Sequence, residues 1–231
     1  EIGNKFISSI ENISQKWLDN FFHALTFRLN YIKNSTKLNF GGFYSVYDGD
    51  HYGKIIWADN IPYDLINNKF YENNGIKKEL SFFIKLKETI STKTSMFFDA
   101  QIRTLNYSIN GTIKGPEIFK VNDSFTFFNP KAGIIFNIND LNNLYFSYAN
   151  AKREPNRSDY KNGNPVSETL NDFEFGWRYI NNNIKIKANL YWMEYFDQLV
   201  LTGAIDDVGL PIRENIGNSR RVGLEIDSSI N

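Results

Sequence analysis

The chain has 231 residues, enough for one large domain or two small ones, and its 26 basic residues balance its 26 acidic residues. The balanced charge argues against a nucleic-acid partner, because nucleic-acid-binding domains normally carry a basic excess. The sequence has no cysteine, which excludes a disulfide framework and a thiolate metal site. No apolar run reaches the roughly 18 residues that a membrane-spanning helix needs.

Apolar and polar residues alternate along many segments, beginning with residues 20–32. A period of two predicts β-strands, because successive side chains of a strand point to opposite faces. Turn-prone residues separate this run from the next one, 37–47, and so predict a hairpin. The pattern predicts three more hairpins and a ninth strand, which are 78–90 with 95–107, 128–138 with 143–152, the two runs within Asp172–Tyr195, and 221–230.

Short and long connections alternate between these predicted strands. The short breaks lie within the hairpins, at 33–36, 91–94, 139–142 and 181–183. The long breaks lie between the hairpins, at roughly 48–77, 108–127, 153–168 and 198–216. Strict alternation places all short turns at one end of the sheet and all long loops at the other, as in transmembrane β-barrels.

The two faces of the predicted strands differ in polarity. One face is apolar, and several strands exceed the roughly ten residues that a tilted strand needs to cross a bilayer. Aromatic residues near the strand ends suit an interfacial girdle, and these are Tyr31, Tyr44, Tyr179 and Trp192. The other face is too polar to pack against a second layer, and it includes Arg28, Asn30, Asp99, Gln101, Arg103, Lys131, Asp172, Glu174 and Arg178.

We therefore predict an all-β fold, a segment of an antiparallel transmembrane β-barrel with about nine long strands. Lipid would cover the apolar face and a wet lumen the polar face. The alternative is a soluble antiparallel sheet with one solvated face. We expect little helix, and the candidate helical pieces are Ser8–Asn20, with Ile13 and Trp17 near helical spacing, and residues 61–73.

The sequence offers no catalytic constellation. Its two histidines are His23, which falls on the apolar face of a strand, and His51. No Ser–His–Asp or Cys–His set has a usable spacing, so we expect no enzyme activity and no cofactor. Asp48, Asp50 and His51 are residue types that bind metals. We favour a glycine-bearing turn at the end of a strand for this cluster, and we expect no metal site.

Arginines provide the other candidates for binding. Arg153 and Arg157 stand beside Glu154 and Asp159 at the start of a long loop. Two guanidinium groups suit a carboxylate or phosphate ligand, but an internal anchor of salt bridges is the interpretation that we favour. The full set of candidate ligand-binding residues is Arg153, Arg157, His51, Asp50, Arg28, Arg103 and Arg178.

Three phrases of the sequence, REPNRSDY, ETLNDFEFG and DQLVLTG followed by PIREN, resemble TonB-dependent outer-membrane receptors when taken together. The resemblance extends from about Trp17 to Ile230. It implies a barrel of about 22 strands around a plug, in the outer membrane of a Gram-negative bacterium. Members of the family import scarce ligands such as ferric siderophores, haem, cobalamin or oligosaccharides, with energy delivered by TonB.

The sequence departs from the family pattern because it contains no plug, no TonB box and no terminal strand that ends in an aromatic residue. We therefore expect residues 1–231 to be a partial barrel of a longer protein. Residues 1–19 would be the end of an outer loop, and residues 20–231 would form strands and loops.

The function implied by the resemblance is energised uptake of a ferric siderophore or another metal chelate. The implied partners are outer-membrane lipid, a small-molecule ligand and, through the missing plug, the TonB complex, with no nucleic acid. Two alternatives stay open, a passive porin or adhesion barrel and a soluble β-rich carbohydrate-binding module.

Overall fold

The computed structural model describes residues 11–59, 66–161, 163–205, 209 and 211–230. These residues form strands and one short helix, α1 (Arg157–Lys161). The strands are β1 (Asn12–Lys33), β2 (Thr36–Ala58), β3 (Lys69–Thr89), β4 (Thr94–Lys114), β5 (Glu117–Asn137), β6 (Asn142–Arg153), β7 (Glu168–Ile180), β8 (Ile184–Phe196), β9 (Leu199–Ile205), β10 (Pro211–Asn215) and β11 (Ser219–Ile230). In this described part of the chain, no helix is long and apolar enough to cross a membrane.

Within the described ranges, one sheet contains nine strands in the order β1-β2-β3-β4-β5-β6-β7-β8-β11. Each strand neighbours the next strand along the chain, except that the separate β9–β10 pair is inserted between β8 and β11. The strand pairs β5–β6, β6–β7, β7–β8 and β8–β11 are antiparallel. The predicted antiparallel sheet of nine strands is therefore confirmed.

The four predicted short turns are confirmed, because β1–β2, β3–β4, β5–β6 and β7–β8 are joined over a few residues each. Side chains within three of these turns accept hydrogen bonds from the backbone of the same turn. The Oδ1 atom of Asn139 accepts two backbone N–H bonds of its own turn, at 3.0 and 2.9 Å. Asn181 does the same at 2.8 and 2.6 Å, and the hydroxyl of Ser91 at 3.2 and 3.1 Å. Such turns need no contact with the rest of the sheet to form.

Two of the predicted long loops are wrong over most of their length. β2 continues to Ala58 and β3 begins at Lys69, while β4 and β5 meet at the tight turn 115–116. Gly115 has a φ of 54° there, a left-handed conformation that favours glycine. Polar residues interrupt the apolar face of these strand ends, so the sequence shows no clear alternation, although Ile109 and Phe119 are buried.

The other two predicted loops are confirmed, and each contains a small element. The β6–β7 connection carries α1, and the β8–β11 connection carries the β9–β10 hairpin. The predicted β1 boundary is wrong, because that strand begins at Asn12 rather than at residue 20.

Neither candidate helical piece is helical where the structure describes it. Residues 12–20 lie in β1, and residues 69–73 lie in β3; residues 8–10 and 61–65 fall outside the described residues. The reason is that Ile13 and Trp17 are four residues apart, a spacing that places them on one face of a helix and equally on one face of a strand.

The chain divides into two compact units. The first unit comprises Glu1–Leu25, Tyr44–Leu80 and Leu105–Ser124, and the second comprises Thr26–Phe43, Ser81–Thr104 and Phe125–Asn231. In the first unit, Leu105 and Ile109 are buried. The Nδ2 atom of Asn73, also buried there, donates to the carbonyl oxygen of Thr112 at 2.7 Å.

In the second unit, the registers of the strand pairs align the apolar residues in rows across the strands. The central row consists of Ile134, Phe146, Phe175, Leu190 and Leu224. Each of these side chains is at least 40% exposed, which is unusual for large apolar residues of a water-facing sheet. The face therefore suits an apolar environment that the described residues do not supply.

Aromatic residues with hydrogen-bonded polar tips lie on both sides of this central row. Towards the short turns, Trp177 Nε1 donates to Asn142 Oδ1 at 3.1 Å. Towards the loops, the hydroxyl of Tyr148 donates to Asn171 Oδ1 at 2.9 Å, and Trp192 Nε1 donates to a carboxylate at 3.0 Å. Side chains with one apolar end and one polar end suit the two interfaces of a bilayer.

Pairing between β5 and β6 ends at Lys131 and Ala149. The next residue of β5 is Pro130, which has no N–H group to donate to a neighbouring strand. One residue further, the side chain of Asn129 accepts a hydrogen bond from the backbone N–H of Lys152 at 2.9 Å. A side chain thus takes the place of the backbone hydrogen bonds where β6 separates from β5, while β6 stays paired with β7 as far as Arg153.

Candidate functional site

A chain of hydrogen bonds crosses the polar face of the second unit from β3 to the end of β6. Gln101 Nε2 donates to Ser81 Oγ at 3.1 Å, and Asn129 Nδ2 donates to Gln101 Oε1 at 3.3 Å. Asn129 Oδ1 in turn accepts a hydrogen bond from the backbone N–H of Lys152. Four neighbouring strands are therefore linked by side chains as well as by their backbones, directly below the β6–β7 loop.

Arg103 of β4 extends this network to the loop itself. Its two Nη atoms donate to the two carboxylate oxygens of Glu154, at 3.3 and 3.2 Å. Only 17% of the Arg103 side chain and 12% of the Glu154 side chain are exposed. A paired, largely buried guanidinium of this kind fixes a loop base, because both charges would be unfavourable without each other.

The other end of the same loop is held by Glu168 at the start of β7. Arg153 Nη2 lies 3.0 Å from Glu168 Oε1. The second oxygen of Glu168 accepts a hydrogen bond from the backbone N–H of Leu199 at 3.0 Å, which brings in the β9–β10 hairpin. The predicted anchor of salt bridges is therefore present for Arg153, although its partner is Glu168 rather than Glu154.

Polar contacts fasten the β9–β10 hairpin to the helix-bearing loop. Asn215 accepts a hydrogen bond from Val166 N at 2.9 Å and donates one to Val166 O at 3.1 Å. Asp159, which is buried in α1, accepts a bond from the backbone N–H of Asn156 at 2.8 Å and lies 3.9 Å from Arg213 of β10. Arg157, on α1, also has a polar or ring contact in the structure.

Arg178 of β7 lies over the ring of Tyr145, with its guanidinium carbon 4.6 Å from the ring centre. The hydroxyl of Tyr145 donates to Asn189 Oδ1 at 2.8 Å. The cation, the ring and the amide thus form one polar and aromatic group across β6, β7 and β8. Arg28, on β1, donates to Asn39 Oδ1 at 2.7 Å and to Asn30 Oδ1 at 3.1 Å.

In the first unit, Asp48 and Asp50 lie on the exposed face of β2. Asn74 Nδ2 donates to both carboxylates, at 2.7 and 2.9 Å. The predicted glycine-bearing turn is wrong here, because these residues and His51 lie inside β2, where pairing with β3 continues. His51 follows Asp50 directly and so points to the opposite face.

Lys69, at the outer end of β3, is bonded to Glu72. This hydrogen bond is the main reason that the pKa of Lys69 is raised, and nearby Tyr52 and Asp50 add smaller contributions in the same direction. Its ammonium group lies 4.5 Å from the centre of the Tyr52 ring.

A sequence-family comparison matches residues 4–231 to the family described as TonB dependent receptor-like, beta-barrel. The chain belongs to this family. A comparison with curated protein sequences gave no match. Family membership places the chain in the outer membrane of a Gram-negative bacterium.

Solved structures of TonB-dependent receptors share the fold. The ferric-catecholate import receptor Fiu from E. coli K12, in its closed form, is 15% identical with a TM-score of 0.68 and covers 94% of this chain. The copper transporter OprC is 14% identical (TM-score 0.72, 94% covered), and the siderophore receptor PiuA from Acinetobacter baumannii is 16% identical (TM-score 0.68, 94% covered). The chain spans 36% of each of these structures.

In this receptor chain, the predicted site residues do not converge on one place. Arg103 and Arg153 lie at the loop base, Arg28 and Arg178 lie on the wall, and Asp50 and His51 lie on opposite faces of β2. The alternation of the sequence did not reveal the bonding partners of these elements, which are Glu168 for Arg153, Asn189 for Tyr145 and Asn129 for the backbone of Lys152. The one sequence signal for Tyr145 was its position on the polar face of an otherwise apolar run, since Leu144 and Phe146 flank it.

Proposed function

We propose that residues 1–231 form part of the barrel wall and outer loops of a receptor that takes up a ferric siderophore or another metal chelate with energy from TonB. The family match over residues 4–231 supports this function. The observation that carries it is the sheet itself, which has an exposed apolar face of aligned rows and an opposite face of ion-paired and hydrogen-bonded side chains. Such a sheet suits the boundary between lipid and a wet lumen.

The ligand class is proposed from the similar solved structures, which are a ferric-catecholate import receptor, a siderophore receptor and a copper transporter. The TonB complex and the ligand would bind the complete receptor, whose plug would carry the segment that contacts TonB. We propose that residues 1–19 belong to the outer loop region, in which residues 12–19 are the outer end of β1, and that residues 20–231 form strands and loops.

The candidate residues differ in the role that we propose for them. Arg103 and Arg153 position the β6–β7 loop, because both are paired with carboxylates at its base. Arg178 is the candidate that we assign to the ligand-facing wall. Its guanidinium stacks on Tyr145, and no carboxylate lies within salt-bridge distance of it among the described residues.

Uptake in cells tests the proposed function. The complete receptor, expressed in a siderophore-receptor-deficient strain, should support accumulation of radiolabelled ferric catecholate or ferric citrate chelates when TonB is present. Accumulation should disappear in an otherwise identical strain without TonB. Equal accumulation in both strains would favour the passive porin, and a chain that stays soluble without detergent would favour the carbohydrate-binding module.

The sidedness of the strands gives a separate prediction. Lys69 lies at the loop end of β3 and Asn182 lies in the β7–β8 turn, so the two sites belong to opposite ends of the sheet. In the complete receptor on intact cells, a cysteine at Lys69 should react with a membrane-impermeant maleimide, and a cysteine at Asn182 should react only after lysis. Reaction of the Asn182 site alone would reverse the topology. Asp207, the other expected outer site, lies outside the described residues.

A further inference from the structure

Four glycines on the polar face of the second unit are covered by aromatic rings from a neighbouring strand. Phe83 of β3 lies over Gly41 of β2, and Phe97 of β4 lies over Gly133 of β5. Tyr145 of β6 lies over Gly176 of β7, and Tyr191 of β8 lies over Gly223 of β11. A methyl group added at any of these glycines would come within 2.6 Å of a ring carbon. Only glycine leaves room for the ring at these positions.

The four pairs share one place in the topology. Each joins two strands of different hairpins, which we call a seam: β2–β3, β4–β5, β6–β7 and β8–β11. At the turn-linked pairs, short turns set the register, because turn length fixes which residues face each other. Three of the seams instead have connections at 59–68, 154–167 and 197–218, which are too long to do so. Gly42, which contacts Phe27 across a turn-linked pair, lies on the opposite, apolar face.

Apolar patterning does not fix the register of a seam completely. A slip by one residue turns every apolar side chain to the wrong face and is strongly disfavoured. A slip by two residues keeps all faces correct, because the side-chain period of a strand is two. Such a slip would move Tyr145 from Gly176 to Glu174 or Arg178, whose side chains occupy the space that the ring needs.

We infer that the glycine–aromatic pairs at the three seams with long connections are register locks, which select one strand alignment at each of these seams during assembly of the barrel. The register of the β4–β5 seam is already set by the tight turn 115–116. The lock works by exclusion, since the ring lies flat against the neighbouring strand only where that strand has no side chain. At the β6–β7 seam, the hydroxyl bond of Tyr145 to Asn189 and the stacked guanidinium of Arg178 further hold the ring in place. The inference concerns assembly and does not depend on the ligand proposed above.

Cysteine crosslinking in the complete receptor reports the register directly. Ser147 and Glu174 are directly opposite in the native alignment. Their Cα atoms would be about 4.5–5.5 Å apart, within disulfide range, whereas residues offset by two are about 7–8 Å apart and out of range. The pair Ser147→Cys/Glu174→Cys therefore reports the native register. Ser147→Cys/Asp172→Cys and Ala149→Cys/Glu174→Cys report the two slipped registers.

Adding Gly176→Ala to each pair should reduce the native crosslink and produce one or both slipped crosslinks. Tyr145→Ser, which removes the ring, should restore folding yield to the Gly176→Ala receptor. Gly163→Ala is the matched control in the β6–β7 loop, because nothing lies near a methyl group there, and it should change neither yield nor register.

Two results would overturn the register lock. The first is a Gly176→Ala receptor that folds with the native crosslink alone. The second is a Gly176→Ala receptor that fails to fold and is not rescued by Tyr145→Ser. Both readouts are independent of uptake, so a failed uptake assay leaves this test unaffected.

Discussion

Replacement of Phe175 by arginine should lower the free energy of unfolding of the receptor by roughly 2–4 kcal/mol, the cost of an arginine near the midplane of a bilayer. Phe175 is the middle residue of the central apolar row, between Phe146 and Leu190. Aromatic residues with bonded polar tips lie on either side of that row, so we place it near the centre of the lipid. The measurement is denaturant-induced unfolding in lipid vesicles, with protease protection as a second readout.

Glu174→Gln is the matched control, because it changes the neighbouring residue of the same strand on the polar face. Glu174 lies opposite Ser147 and Tyr191, away from lipid. We expect the free energy of unfolding of this variant to lie within about 0.5 kcal/mol of that of the unmodified receptor, as is usual for surface substitutions. If both variants lose the same stability, the assignment of faces is incorrect and a soluble sheet becomes the better interpretation.

Loss of one partner of the Arg103–Glu154 pair should also lower the free energy of unfolding, by about 1.5–3 kcal/mol, the usual range for hydrogen bonds to charged groups. The pair is bidentate and both side chains are largely buried, so Glu154→Ala leaves a guanidinium without its carboxylate. Because Glu154 is the first residue after β6, the β6–β7 loop should become sensitive to protease. Thermal unfolding and limited proteolysis in detergent measure the two effects.

Lys85→Met is the comparison variant for this prediction. Lys85 lies 3.0 Å from Asp99 on the same face, but 56% of its side chain is exposed. Exposed ion pairs contribute only about 0.2–1 kcal/mol, so Lys85→Met should lower the free energy of unfolding much less than Glu154→Ala does. The double variant Arg103→Met/Glu154→Ala should be more stable than the sum of its two single changes predicts, since no unpaired charge remains. Strict additivity would show that the two side chains are energetically independent.

Sequence alternation predicted the nine strands because an unpaired polar group is costly in hydrocarbon, which keeps the face that we assign to lipid apolar along its central row. Beyond the apolar rows this constraint ends. On β5, Asp123 interrupts the row of Phe119, Phe125 and Phe127, and the segment is still strand. The loop predicted at 108–127 failed for this reason, since the interrupted pattern was interpreted as a loop whereas Ile109 and Phe119 are buried in the structure.

The candidate site was predictable in residue type and not in arrangement. Alternation correctly assigned Arg103 and Arg178 to the polar face. Their partners depend on which strands are neighbours and in what register, and Glu154 stands 51 residues from Arg103 in the chain. Asp48 and Asp50 were interpreted as turn formers because glycine follows Asp48, whereas the structure gives them a shared amide donor, Asn74, from the next strand.

The self-closed turns at Ser91, Asn139 and Asn181 have a consequence for how such a wall can evolve. Each turn draws its hydrogen bonds from its own side chain, so a hairpin carries everything needed to reverse its direction. Duplication or deletion of a whole hairpin would change the circumference of the barrel by two strands. It would leave every remaining loop outside and every remaining turn inside, so the family can vary in size while the receptor keeps its orientation.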